Sequence, residues 1–190
     1  DPDFGGVSLG EGATSGTALI SLLSNGGNIL VRGKSSDASV HPGILSQDAL
    51  LIDSGTGTIS INGTSTKGHG IELAYASAAH NIAIRSASNT ETAISIEGMT
   101  SANAGGFFLL GTGSSIIQSE GTGAVNITGT STLNEGMVLD NVQILSASGK
   151  ISLTGTGPNN GQLLRNTDIG LRSSATAIQG ITPLAASSAD

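Results

Sequence analysis

Ile59-Ser-Ile61-Asn-Gly63-Thr-Ser-Thr66 returns further along the chain as Val125-Asn-Ile127-Thr-Gly129-Thr-Ser-Thr132. Both stretches alternate apolar and polar residues, the signature of a short half-buried strand, and both run into a glycine. The same apolar-x-apolar-x-Gly pattern occurs at Ile29-Leu-Val31-Arg-Gly33, Ile94-Ser-Ile96-Glu-Gly98 and Ile151-Ser-Leu153-Thr-Gly155. A contracted form stands at Val7-Ser-Leu9, and a weaker one at Thr176-Ala-Ile178-Gln-Gly180. Gly33, Gly63, Gly98, Gly129 and Gly155 are spaced by 30, 35, 31 and 26 residues. Self-similarity at such a period is the sequence sign of a repeat architecture.

Two further apolar segments follow in each repeat. The second set is Ile44-Leu45, Ile71-Glu-Leu73, Phe107-Phe-Leu109, Met137-Val-Leu139 and Leu163-Leu164, four of these directly preceded by glycine. The third is Leu50-Leu-Ile52, Ile82-Ala-Ile84, Ile116-Ile117, Val142-Gln-Ile144 and Ile169-Gly-Leu171. Three short strands per repeat of roughly 30 residues predict an all-β parallel solenoid, one repeat per coil. Equivalent residues of successive coils then lie about 4.8 Å apart and pair through parallel backbone hydrogen bonds. Ile29, Val31, Ile59, Ile61, Ile94, Ile96, Val125, Ile127, Ile151 and Leu153 are the expected core stack. Burying one such side chain contributes roughly 1.5–3 kcal/mol, so repetition is a packing requirement. The coils are placed at 7–28, 29–58, 59–93, 94–124, 125–150 and 151–175, five to six in all, in one rod roughly 25–30 Å long. The glycine closing each first strand is expected at a turn, either for positive φ or because a side chain would collide with the next coil. No helical pattern competes; residues 74–79 lack a periodic apolar face.

Composition agrees with thin, layered packing. The 190 residues include 29 glycines, 37% apolar and only 2% aromatic residues, so an interior must be built from Ile, Leu, Val and Ala. The net charge of −7 leaves seven dispersed cations (Arg32, Lys34, Lys67, Arg85, Lys150, Arg165 and Arg172), which is no footprint for nucleic acid. Cysteine is absent, which excludes disulfides and thiolate metal sites. No apolar run approaches the ~18 residues of a membrane helix, so membrane insertion is not expected.

The stretches from Gly57 to Leu73 and from Gly123 to Leu139, with Gly149-Lys-Ile-Ser-Leu-Thr-Gly-Thr-Gly157, resemble the repeats of filamentous-haemagglutinin-type exoproteins. These are large adhesins exported by two-partner secretion in Gram-negative bacteria. The resemblance spans about Gly26 to Leu171. It implies a right-handed parallel β-helix, secreted or held at the bacterial cell surface, serving adhesion, biofilm cohesion or a stalk. The family's secretion domain, with its Asn-Pro motifs, is not visible, which makes the chain an interior or distal segment in this reading. Some adhesins of this kind carry asparagine-linked sugars, which brings Asn62-Gly-Thr64 and Asn126-Ile-Thr128 forward as acceptors. Such sequons also arise by chance in Asn- and Thr-rich repeats.

Sites for chemistry are sparse. Gly33-Lys34-Ser35 resembles the end of a phosphate-binding loop, but Asn28 stands where the motif needs glycine and no helix is expected to follow. His41, His69 and His80 fall outside the strands and are expected as solvated turn residues. Glu72, Glu97 and Asp140 lie near strands of different coils but at different strand positions, so they are not expected to converge as a polysaccharide-cleaving site requires. Tyr75, Phe4, Phe107 and Phe108 are the only aromatic residues; the two adjacent phenylalanines point to opposite faces, one into the core. Thr64-Ser-Thr66 and Thr130-Ser-Thr132 hint at an ice-binding ladder, yet both follow the glycine. No calcium loop, metal cluster or cofactor motif is present. The expectation is a non-enzymatic adhesive or structural β-helix, with a polysaccharide-acting β-helix enzyme and an ice-binding solenoid as alternatives. Expected partners are further coils of the same chain, head-to-tail copies of itself, and host or matrix glycans or proteins.

Overall fold

The computed structural model describes residues 6–10, 19–36, 40–73 and 81–171. Phe4, Tyr75, His80, Arg172, the 74–79 stretch and the weak repeat at 176–180 lie outside the described residues. Within them the chain forms fifteen strands and no helix. In chain order the first eight are β1 (Val7–Leu9), β2 (Leu19–Leu23), β3 (Ile29–Ser35), β4 (Ile44–Ser46), β5 (Ala49–Asp53), β6 (Ile59–Ser65), β7 (Ile71–Leu73) and β8 (Ile82–Ser86). There follow β9 (Thr92–Thr100), β10 (Phe107–Ser119), β11 (Ala124–Ser131), β12 (Met137–Ser146), β13 (Ile151–Thr156), β14 (Gln162–Arg165) and β15 (Asp168–Leu171).

Every strand pair is parallel, and each strand pairs with its equivalent one repeat away. One sheet has five strands in the order β13-β11-β9-β6-β3. Its register places Ile29, Ile59, Ile94, Val125 and Ile151 in one column and Val31, Ile61, Ile96, Ile127 and Leu153 in the next. The other sheet has ten strands and consists of two columns. In the first, β1, β4 and β7 continue into the opening residues of β10 and β12 and end at β14; in the second, β2, β5 and β8 continue into their closing residues and end at β15. The two columns count as one sheet because β10 and β12 run unbroken through both. Between them the pairing shifts, Leu110 facing Asp140 and Ser115 facing Val142. Residues 111–114 of β10 thus stand against Asn141 alone, whose φ of 55° lies in the left-handed region that asparagine tolerates.

Burial follows the period-two pattern. On β6, Ile59, Ile61, Gly63 and Ser65 are buried and the residues between them are not. Aliphatic side chains from all three columns meet in one core, in which Ile44, Leu50, Ile61, Ile84, Leu139 and Ile144 are at most 2% exposed. Phe107 is the largest fully buried side chain. With alternation on each strand and equivalent aliphatic residues one repeat away, burying one strand's inner face requires its neighbours.

Three expectations need correction. Gly33, Gly63, Gly98, Gly129 and Gly155 are not at turns: they lie within strands, in mutual register, and none has positive φ. They face inward, where an added Cβ would meet the carbonyl oxygen of Gly43, Gly70, Gly106, Gly136 or Gly161, the glycine opening the next strand of the same repeat. Close backbone approach at a corner, not backbone conformation, demands glycine there. Second, Val7–Leu9 does not belong to the column of β3; β1 pairs with β4, Val7 opposite Ile44. Third, Thr64-Ser65 and Thr130-Ser131 are strand residues, because β6 and β11 continue two residues past the glycine.

Candidate functional site

Among the described residues, two surfaces group side chains able to meet a partner. The first is the outer face of the five-stranded sheet. Its columns are Leu30, Ser60, Ser95, Asn126 and Ser152; then Arg32, Asn62, Glu97, Thr128 and Thr154; then Lys34, Thr64, Met99, Thr130 and Thr156. The register makes this a repetitive, mostly uncharged hydroxyl and amide surface. The threonine column is broken by Lys34 and by Met99, which is 46% exposed. Asn62 and Asn126 sit here in mid-strand, not in loops, and their amides already donate to Ser60 Oγ at 3.0 Å and Thr92 Oγ1 at 3.3 Å. Gly33-Lys34-Ser35 forms the end of β3, with Lys34 outward and Ser35 buried, which is strand geometry and no phosphate cradle.

The sheet edge is tied to the loops by a buried hydroxyl column that the sequence reading passed over. Ser35, Ser65, Thr100 and Ser131 are in register and face inward. Ser65 Oγ donates to the His41 carbonyl at 2.8 Å, Thr100 Oγ1 to Gly68 at 2.7 Å and Ser131 Oγ to Ala104 at 2.8 Å. Each partner carbonyl belongs to the loop one repeat earlier. The same hydroxyls accept backbone N–H groups of their own loops: Gly68 on Ser65, Ala102 on Thr100, Asn134 on Ser131. A small hydroxyl residue recurring two positions after the repeat glycine was the available signal.

Those loops wall the second surface, a groove of about 490 Å³ beside β4 and β7. His41, Leu45, Lys67, His69, Glu72 and Asn103 line it. The fold thus brings together His41, His69 and Glu72, whereas Glu97 is exposed on the other sheet and Asp140 accepts from Asn166 Nδ2 at 3.3 Å on β12. Glu72 is the middle residue of β7, opposite Leu45 on one side and Phe108 on the other, and is only 7% exposed. Burial pushes its carboxyl up to about 7.

His69 is no solvated turn residue. Its ring stacks on Phe108, centroids 4.5 Å apart at 30°. Its Nδ1 lies 2.9 Å from the Gly105 nitrogen and 3.2 Å from the Gly105 carbonyl oxygen. Burial holds its pKa below the usual imidazole value, outweighing the Gly105 hydrogen bond and the charge of Glu135, which act the other way. Nδ1 accepts from Gly105 N–H in one neutral tautomer and donates to the Gly105 carbonyl in the other, so Gly105 holds the ring in place in either form. No group of three or more metal-ligating side chains occurs among the described residues. Compared with protein-family models, curated proteins and solved structures, the chain finds no match.

Proposed function

We propose that the chain is a segment of a parallel β-helix, right-handed as in the exoproteins its repeats resemble, with one strand from each of the three columns per coil. It acts as a structural or adhesive element of a secreted or cell-surface protein: a shaft that presents a repetitive outer face. The observation that carries this reading is the continuous register of five aliphatic-x-aliphatic-x-Gly strands, inner side chains matched and outer ones polar except Leu30 and Met99. Such a surface offers the same hydroxyl and amide groups at each ~4.8 Å step, so individually weak contacts add through multivalency. The terminal strands of each column are the natural attachment for further coils of the same chain or for a head-to-tail copy.

The test has two arms. Electron microscopy of the purified chain should give a rod with one coil per ~4.8 Å rise, and a flat or closed particle would end the β-helix reading. Beads coated with the chain should be retained on epithelial cell layers or biofilm matrix well above beads coated with an unrelated acidic protein; equal retention would end the adhesive reading.

A further inference from the structure

From β4 to β14 the outward column of the ten-stranded sheet reads Leu45, Glu72, Phe108, Val138 and Leu163. Four of the five positions are apolar, so the scaffold has no need of a carboxyl there. Glu72 is nonetheless only 7% exposed and lines the groove, so the little surface it keeps faces that opening. A largely desolvated carboxyl costs stability, and a ligand in the groove that hydrogen-bonds it offsets that cost.

The groove indicates what that is. Lys67 lines the same opening and Glu72 is only partly ionised near pH 7, so the groove carries no strong field of either sign and favours neither a strong anion nor a strong cation. The remaining polar groups are mixed: amides of Gln47 and Asn103, and the imidazole of His69. Pro42, Leu45 and Ala104 supply apolar patches between them. A volume of about 490 Å³ falls within the range of small-molecule sites. We propose that the groove over Glu72 binds a neutral polyhydroxylated ligand, one or two sugar rings in size. Hydroxyls of the ligand donate to the Glu72 carboxyl, accept from Lys67 and hydrogen-bond the His69 ring, while its C–H faces rest on Leu45 and Pro42. This site stands independently of the surface-display reading, since neither its geometry nor its test requires a rod.

Nuclear magnetic resonance titration of the whole chain with lactose, cellobiose and maltose tests it, with spermidine and a sulfated heparin disaccharide as charged probes. The expected result is that a neutral disaccharide shifts resonances of His69, Glu72 and Asn103. Glu72→Leu, which copies the neighbouring repeats, should unfold cooperatively at a temperature no lower than the parent's and weaken binding at least tenfold; Lys67→Ala should weaken it severalfold. The proposal is overturned if no neutral disaccharide shifts these resonances, if Glu72→Leu binds as the parent does, or if either charged probe binds the groove more tightly than every neutral sugar.

Discussion

Gly98 shows how a single hydrogen atom in place of a side chain shapes the repeat. It faces inward between Ile96 and Thr100, and the space a methyl would take is filled by the Gly106 carbonyl oxygen, a backbone atom that cannot rotate away. Gly98→Ala should therefore cost about 3 kcal/mol, the upper end of the overpacking range. Ser60→Ala, on the outer face, should stay within about 0.5 kcal/mol. Chemical denaturation of the two variants checks both values. Glu72 gives a pH signature. Its folded pKa, raised to about 7 from 4.5, means the folded chain keeps a proton that the unfolded chain has released. Stability contributed at this residue is thus lost as pH rises from about 4.5 to 7 and stays lost above that. Glu72→Leu should remove this slope, so its gain over the parent should be larger at pH 8 than at pH 4 by on the order of 2 kcal/mol. Parallel slopes for parent and variant would show that the carboxyl is not desolvated.

At the scale of the element, what joins strand to loop is the inward hydroxyl two residues past the glycine. Ser131 Oγ donates to the Ala104 carbonyl and accepts from Leu133 and Asn134 N–H, so one small side chain closes its own loop and fastens it to the loop before. Ser131→Ala leaves the buried Ala104 carbonyl and two half-buried N–H groups without a partner and should cost about 1–3 kcal/mol. Amide hydrogen exchange should quicken at residues 133–135 while the β11 core amides stay protected. Uniform acceleration throughout β11 would instead mean that the hydroxyl holds the strand itself. The groove over Glu72 depends on the same fastening, because Ser65 and Thr100 anchor the loops containing His41 and Gly68 that wall it.

For the whole molecule, repetition makes the chain divisible. Removing residues 94–124, one repeat by register, would set Val125 where Ile94 stood, opposite Ile59. The shortened chain should still fold, with its denaturant slope lower by about a sixth, in line with the surface lost. Circular dichroism and urea titration measure this; an unfolded product would mean that the columns do not stack by equivalence. Parallel pairing one repeat apart and the identity of the core stack were legible in the sequence, because inward positions must match above and below and that requirement is written as Ile-x-Ile-x-Gly. Whether the repeat glycine marks a turn or a close approach was not legible, since both demand the absence of Cβ; the Gly70 and Gly106 carbonyls decide it only when the corner is folded. Nor could spacing reveal that Glu72 and His69 share a groove with His41, which lies in the preceding repeat. Parallel pairing one repeat apart turns a separation of about thirty residues into a few ångströms. The sequence by itself thus determined the period, the strand faces and the core, and the tertiary structure alone decided which outward side chains meet, because that depends on how loops of unequal length settle over the sheet.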